Sequence, residues 1–403
     1  MERTLVVVGY GMVAHRLVER LRADDPGRRW RLVVLGEEPW PAYDRVSLTS
    51  RLEGRDARDL LLAGPEPLRA PRVRLRLGTR VVRVDRRRAR VVAADGTAWR
   101  YDALVLATGA RPFVPPVPGR DLPGCFTYRT LDDLEGIRAA ARPGDPAVVI
   151  GGGLLGLEAA NGLRALGMRP RILEQAPWPM PAQLDARGGE LLAGLVGERG
   201  IAVRCGVSVG SLRAGPGGRV RSVVLRDGTA LDASLVVLAS GVRPRDELAG
   251  AAGLATGERG GFLVDEHCRT ADPRIWAVGD CAAAGGRSYG LVAPGYRMAD
   301  TVAAQLTGGA VRPFTGADPS ARLKLAGVHV AGFGDAHART AGAVEFAVED
   351  LRARRYAKLV LSGDGGVLLG GALVGDTAAF PALRSLVGKR LPGSADALLG
   401  RRP

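Results

Sequence analysis

Leu5-Val6-Val7-Val8-Gly9-Tyr10-Gly11-Met12-Val13-Ala14 begins as an apolar, β-branched run. It passes through Gly-x-Gly-x-x-Ala into Arg16-Leu17-Val18-Glu19-Arg20-Leu21. The run reads as a buried parallel strand, and the apolar spacing after it reads as a helix. Gly9 permits a tight turn, Gly11 lets backbone amides approach a pyrophosphate, and Ala14 is small enough for helix to pack on strand. Met12 and Val13 open the helix, whose free N–H groups carry the positive end of its dipole. One such turn is a weak signal, because Gly-rich strand–helix turns occur in many folds.

The chain repeats it. Ala147-Val148-Val149-Ile150-Gly151-Gly152-Gly153-Leu154-Leu155-Gly156-Leu157-Glu158-Ala159 carries the full Gly-x-Gly-x-x-Gly. After the first turn, Arg31-Leu32-Val33-Val34-Leu35 reads as a strand ending at Gly36-Glu37-Glu38. After the second, Pro170-Arg171-Ile172-Leu173 ends at Glu174. A carboxylate there is placed to accept hydrogen bonds from an adenosine ribose, with Glu37 preferred over Glu38 in the first copy. Each copy continues into short strands, with a turn at Asp95-Gly96-Thr97 or Asp227-Gly228-Thr229. In the first copy these strands span 72–77, 80–85 (containing Val82) and 89–93. Each copy then closes on a buried strand ending in Ala107-Thr108-Gly109 or Ala239-Ser240-Gly241. The order repeats throughout, which points to two nucleotide folds and one ligand for each. Glu174 followed by Gln175-Ala176 favours NADH over NADPH, since a carboxylate binds free ribose hydroxyls and repels a 2′-phosphate.

Two further stretches bear on ligand binding. Trp40-Pro41-Ala42-Tyr43-Asp44-Arg45 reads as a fixed loop in which Arg45 pairs with a phosphate or covers a ring. Ile275-Trp276-Ala277-Val278-Gly279-Asp280 reads as a strand aiming Asp280 at a polyol just before a helix. Another helix starts near Val292-Ala293-Pro294, with its N-terminus free to face a ligand.

Composition narrows the class. The 403 residues exceed one ordinary core. The formal charge of +15 is carried by arginine, with only Lys324, Lys358 and Lys389 as lysines. The arginines are scattered, apart from Arg86-Arg87-Arg88, and few aromatics accompany them, against a nucleic-acid interface. Cys125, Cys205, Cys268 and Cys281 form no Cys-x-x-Cys, and His15, His267, His329 and His337 have no metal-site spacing. No apolar run reaches membrane-spanning length, and Met-Glu-Arg-Thr runs into the first strand without a basic leader. The expectation is a soluble, cytoplasmic protein with reduced structural thiols, no metal and no membrane contact.

Together these motifs resemble the flavoproteins with two dinucleotide-binding domains, which include glutathione-reductase-like enzymes, ferredoxin reductases of oxygenase systems and NADH oxidases. The resemblance implies an α/β fold with two Rossmann-like domains and a small C-terminal α+β domain. The implied division is 1–112 and 242–312 for FAD, 113–241 for NAD(P), and 313–403 for an interface or docking domain. It implies FAD on Gly9, Gly11, Met12, Val13, Ala14, Glu37, Glu38, Arg45, Val82, Ala107, Thr108, Gly109, Gly279, Asp280 and Ala293. It implies NADH on Gly151, Gly153, Leu154, Leu155, Gly156, Glu174, Ser240 and Gly241.

A narrower resemblance is to the FAD-containing N-terminal part of the assimilatory nitrite reductase large subunit. It rests on Gly36-Glu37-Glu38-Pro39 with Tyr43-Asp44-Arg45-Val46, and on Ala176-Pro177-Trp178-Pro179-Met180 with Gln183-Leu184-Asp185. It also rests on Gly290-Leu291-Val292-Ala293-Pro294, and on Leu323-Lys324-Leu325-Ala326-Gly327-Val328 with Gly332-Phe333-Gly334-Asp335-Ala336. The last pair is Tyr356-Ala357-Lys358-Leu359-Val360-Leu361 with Gly370-Gly371-Ala372-Leu373-Val374-Gly375-Asp376. Oxygenase-type ferredoxin reductases carry a lysine after the Tyr-Asp-Arg loop, beside the flavin. Here the loop runs Ser47-Leu48-Thr49-Ser50, leaving Glu158 as the candidate catalytic residue of the flavin and nicotinamide environment. The four cysteines do not supply iron–sulfur and sirohaem ligands, so this chain is not expected to reduce nitrite by itself.

The C-terminal segment alternates strand-like runs (328–331, 358–361, 367–369 and 372–374) with glycine turns. It should form a small sheet of the kind used for homodimerisation or docking. His329 and His337 there read as ordinary polar or surface residues before catalytic bases. The expected activity is an FAD-dependent NADH oxidoreductase. It passes electrons to a separate iron–sulfur, haem or sirohaem protein of nitrite or nitrate assimilation. Two alternatives keep the flavin: a ferredoxin or rubredoxin reductase for an oxygenase, and a biosynthetic enzyme that reduces a small molecule directly. A nucleotide-sensing protein with a structural flavin is the non-enzymatic rival.

Overall fold

The computed structural model describes residues 3–25, 29–63, 72–318, 320–323, 325 and 327–399. Lys324 and Ala326 of the C-terminal motif, and the first two residues, lie outside that set. The chain divides into two compact units: Met1–Leu48, Asp56–Arg111 and Val242–Ala317, then Thr49–Arg55, Pro112–Gly241 and Asp318–Pro403.

The first unit is built on the β-branched runs. Arg3–Val8 pairs in parallel with Trp30–Leu35 on one side and Ala103–Leu106 on the other. Val73–Arg76 and Ile275–Ala277 flank these three. Leu5, Val6, Val7, Val34, Leu104 and Val105 are fully buried, because a parallel sheet is covered on both faces. Ala14, Leu17, Val18 and Leu21 of helix Met12–Asp24 recur at helical spacing and join the same core. Met298, Ala299, Val302 and Leu306 of helix Val292–Thr307 do likewise. At about 1.5–3 kcal/mol for each large apolar side chain, this burial is the main stabilising term. Val81–Asp85, Arg90–Ala93 and Ala98–Arg100 form an antiparallel meander.

The second unit repeats the plan. Pro146–Ile150 lies between Arg169–Leu173 and Leu235–Leu238, all parallel. Ile150 stands opposite Leu173 and Leu238 as Val8 stands opposite Leu35 and Leu106. The meander recurs at Val209–Ala214, Val220–Leu225 and Ala230–Asp232. The matching turns share one lock, Asp95 Oδ1 accepting from Thr97 N and Asp227 Oδ1 from Thr229 N, both at 2.9 Å. Residues 49–55 belong to this unit: Tyr128 Oη donates to Thr49 Oγ1 at 2.9 Å, and Arg51 pairs with Glu135 at 2.7 Å.

The C-terminal segment departs from its sequence reading in three ways. Its antiparallel sheet runs Ala321–Arg322, Val330–Gly334, Leu368–Val374, Arg355–Leu361, Val344–Asp350. The two runs expected at 367–369 and 372–374 are one strand, the run expected at 328–331 forms its strand from Val330, and Val344–Asp350 was not anticipated. Gly370 and Gly371 read as a turn but sit inside the strand, where neighbouring backbone is too close for a side chain. A Cβ on Gly371 would stand 2.3 Å from Lys358 O, and one on Gly370 2.2 Å from Asp335 N. Gly371→Ala is therefore expected to destabilise the protein by about 1–3 kcal/mol, the usual cost of overpacking. A lowered urea midpoint would show it; an unchanged midpoint would mean the strands part without cost.

Candidate functional site

Each Gly-rich turn can be tested for what it accommodates. At the first, Gly9 has φ +101° and a Cβ there would lie 2.1 Å from Ala107 O, so only glycine fits. Gly11 faces open space. Helix Met12–Asp24 starts on Gly11 with no side-chain cap and no acidic residue in its first turn. The second copy matches: Gly151 has φ +117° with Ala239 O at 2.5 Å from a would-be Cβ. Gly153 opens helix Leu154–Ala165 without cap or acid and also faces open space. A Cβ on Gly156 would stand 1.9 Å from Gly151 O, so glycine alone lets this helix meet its strand. By contrast, Thr130 caps helix Leu131–Ala140 and Asp185 caps helix Ala186–Gly197. Caps are worth about 1 kcal/mol, and the helices at these two turns have no side-chain cap on their first N–H groups. The residues fit the pyrophosphate of a dinucleotide at both turns.

The ends of the partner strands match the turns. Thr108 Oγ1 donates to Arg245 O at 2.5 Å, and Gly109, with φ +71°, faces open space. Ser240 Oγ donates to Ile150 O at 3.1 Å, and Gly241, with φ +106°, is likewise open.

The acids differ between the copies. Glu174 follows its strand directly, and its carboxylate accepts from Gly152 N at 2.5 Å and from Ala176 N at 2.7 Å. In register, the first-copy equivalent of Glu174 is Gly36, since Gly9 N donates to Leu35 O as Gly151 N donates to Leu173 O. A Cβ on Gly36 would lie 3.2 Å from Tyr10 Cβ. Glu37 is displaced by one position and pairs with Arg245 at 2.6 Å and Arg80 at 3.7 Å. Glu38 accepts from Tyr43 Oη and from Arg45 Nη2, both at 2.6 Å. Burial opposes the charge on Arg45, but Tyr43, Glu38 and Asp280 together hold its pKa above the usual value. Its guanidinium lies 4.7 Å over the Tyr43 ring.

Gly279-Asp280 converges on the first turn. A Cβ on Gly279 would lie 3.2 Å from Val13 Cγ2, and one on Gly295 would lie 2.5 Å from the same atom. Asp280 leads into a single 3-10 turn, Gly279–Cys281, and then a strand, Ala282–Ala284, rather than the expected helix. That strand finds a parallel partner in Phe262–Val264, which outweighs the local Asp cap. Helix Val292–Thr307, carrying Ala293 in its first turn, is uncapped like the helices of the two Gly-rich turns. Val82 is 48% exposed at the bulge between Val81 and Arg83, where backbone leaves the ladder.

Glu158 is buried on helix Leu154–Ala165. Burial, together with the charges of Glu158 and Glu53, pushes the Tyr128 phenol well above its ordinary range against the opposing Thr49 bond. His337 lies 3.1 Å from Ala182 O, and His329 is exposed. Among the described residues, neither imidazole ring is hydrogen-bonded to a carboxylate. All four cysteines are unpaired. Burial pushes Cys125 up to about 11 and Cys268 up to about 12, and also raises Cys205 and Cys281, so none is a ready thiolate. Among the described residues no three His, Cys, Asp or Glu side chains are arranged to hold a metal, and no helix is long and apolar enough to cross a membrane. Arg245 escaped the sequence reading. Its only signal was its place just past the repeated Gly-x-Arg-Pro.

A family model described as pyridine nucleotide-disulphide oxidoreductase matches residues 3–308. The rubredoxin NAD+ reductase C-terminal domain matches residues 319–391. The nitrite reductase [NAD(P)H] large subunit of Klebsiella oxytoca is 44% identical over 406 residues, covering 99% of this chain and 42% of that protein. The assimilatory nitrate reductase electron transfer subunit of Bacillus subtilis is 33% identical over 330 residues, covering 82% of this chain and 42% of the relative. This chain thus spans less than half the length of either. Among solved structures, a chain of the covalent putidaredoxin reductase–putidaredoxin complex superposes with a TM-score of 0.88 at 29% identity, covering 98% of this chain and 95% of that one.

Proposed function

The chain belongs to the pyridine nucleotide-disulphide oxidoreductase family, and from that premise we propose that it is an FAD-dependent NADH oxidoreductase serving a separate electron acceptor. The observation that carries this reading is the pair of uncapped, glycine-locked turns, of which only the second has an acid in register. We assign FAD to the first turn. There Gly9 makes the tight turn, Gly11, Met12, Val13 and Ala14 turn their amides to the pyrophosphate, and Asp280 and Ala293 belong to the segments whose Gly279 and Gly295 lie against Val13. Glu37, Glu38, Arg45, Val82, Ala107, Thr108 and Gly109 complete that site. We assign NADH to the second turn, with Gly151, Gly153, Leu154, Leu155 and Gly156 at the phosphates. Glu174 takes the adenosine ribose, Ser240 and Gly241 lie at the neighbouring strand end, and Glu158 belongs to the nicotinamide environment.

A flavin held at the first turn would supply hydride-accepting and single-electron chemistry. The protein's residues bind and orient. Glu174 sets the preference for NADH over NADPH, because its carboxylate would repel a 2′-phosphate. The thiols, held in their neutral form, take no part.

The acceptor we propose is an acidic electron carrier of nitrite or nitrate assimilation in the cytoplasm. The relatives from K. oxytoca and B. subtilis support this, and the +15 formal charge suits an acidic partner. A second reading, a reductase for a ferredoxin-like protein of an oxygenase, draws on the putidaredoxin reductase likeness. The test is anaerobic mixing of flavin-loaded protein with NADH, then with a panel of acceptors at rising salt. The expected results are bleaching by NADH and transfer that weakens as salt screens the charges. A flavin that stays yellow with both NADH and NADPH would overturn the activity. Fast transfer to oxygenase ferredoxins alone would select the second reading.

A further inference from the structure

Two stretches quoted for the family resemblance have no part in the site so far: Trp178 to Asp185, and Tyr356-Ala357-Lys358. The fold joins them. Lys358, one of three lysines beside 54 arginines, is 2% exposed on strand Arg355–Leu361. Its Nζ lies 2.8 Å from Asp185 Oδ2 and 3.0 Å from Glu345 Oε1. Tyr356, on the same face of the strand, donates to Asp185 Oδ2 at 2.7 Å. Asp185 Oδ1 meanwhile caps helix Ala186–Gly197 through Gly188 N at 3.1 Å. In register, Lys358 stands between Ala347 and Ala372, small neighbours that leave room for an ammonium between two carboxylates. A guanidinium is a wider, planar group, which suits this position less well than lysine in a chain that has few lysines.

Asp185 is the far end of a loop whose near end is Glu174. Between them the loop closes on the second Gly-rich turn from both sides. Glu174 accepts from Gly152 N at 2.5 Å, and Met180 N donates to Gly152 O at 2.9 Å. Met180 is fully buried in a left-handed conformation, φ +53°, which a non-glycine residue keeps only when its surroundings impose it. Trp178 Nε1 ties back to Leu184 O at 2.9 Å, and His337 reaches Ala182 O. The peptide of Gly152 is thus held by a loop that is itself held by the C-terminal sheet.

We propose that Lys358 is a positioning residue for the nicotinamide nucleotide, holding Asp185 so that the 174–185 loop fixes Gly152 and Glu174 in binding geometry. This rests on the assignment of NADH to the second turn. Without the ammonium, Asp185 and Glu345 are left facing each other with no cation between them, and the loop loses its anchor while the glycine turn itself is untouched.

The test uses the flavin-loaded full chain and Lys358→Met, with NAD+ as the binding probe and NADH with ferricyanide for turnover. The expected result is about tenfold weaker NAD+ binding and a tenfold higher KM for NADH, with kcat and flavin content within twofold of the parent. Amide hydrogen exchange at Gly152 should speed up in parallel. Unchanged NAD+ affinity, or a fall in kcat and flavin content at constant KM, would overturn the proposal. If Lys358→Met does not accumulate, Tyr356→Phe is expected to raise KM two- to fourfold, and no change there overturns it equally. Gly156→Ala, run alongside, separates the two levels. If it keeps NADH affinity, the second-turn assignment falls and takes this proposal with it. If it loses affinity while Lys358→Met does not, the positioning role alone falls.

Discussion

Purified Gly156→Ala protein is expected to stay yellow yet accept electrons from NADH about 100-fold less efficiently, whereas Gly9→Ala protein is expected to lose its flavin. Both changes add one methyl group, and both meet backbone oxygen. At Gly156 the new Cβ would stand 1.9 Å from Gly151 O, so helix Leu154–Ala165 must move off its strand by an ångström or more, roughly the difference from ordinary contact. Its N-terminal amides move with it, and a misplacement of about 1 Å in a binding frame is enough to cost on the order of 100-fold. That loss should appear in kcat/KM for NADH. At Gly9 the methyl would lie 2.1 Å from Ala107 O on a residue with φ +101°, so clash and backbone strain add. The flavin-to-protein absorbance ratio after desalting, followed by anaerobic mixing with NADH, separates the variants. If Gly156→Ala were reduced at the parent rate, the NADH assignment would be wrong. If the two phenotypes came out exchanged, the cofactors would have to be exchanged as well.

Replacement of Glu174 by alanine is expected to lower kcat/KM for NADH by about 10- to 100-fold and to narrow the gap to NADPH. The carboxylate holds Gly152 N and Ala176 N at 2.5 and 2.7 Å. Hydrogen bonds to a charged group contribute about 1.5–3 kcal/mol each, and about 1.4 kcal/mol is a factor of ten. Losing the ribose contact accounts for that range, and the two internal bonds go with the same carboxylate. Use of NADPH should fall less, because the group that repels its 2′-phosphate leaves at the same time. A matched pair of saturation curves decides it. Equal losses for both nucleotides would show that Glu174 shapes the loop without reading the ribose.

The sequence determined the plan of this protein because the decisive constraints are local. Gly9, Gly151 and Gly156 are where a side chain cannot fit, and such positions write themselves as glycine at fixed spacing beside β-branched runs. The matching Asp-Gly-Thr turns and the uncapped helices belong to the same short-range chemistry, so two Rossmann-like units and their order could be read directly. What tertiary structure decided depends on residues that meet from far along the chain. Gly36, rather than Glu37, falls opposite Gly9 through the register of Val8 with Leu35, Tyr10 crowds that position, and Glu37 pairs with Arg245. Gly370 and Gly371 look like a turn and are strand, because Asp335 and Lys358 press on them. Tyr356 and Asp185 are 171 residues apart and share one hydrogen bond. No periodicity or local spacing encodes such a pairing, since it exists only once strand Arg355–Leu361 has packed on helix Ala186–Gly197.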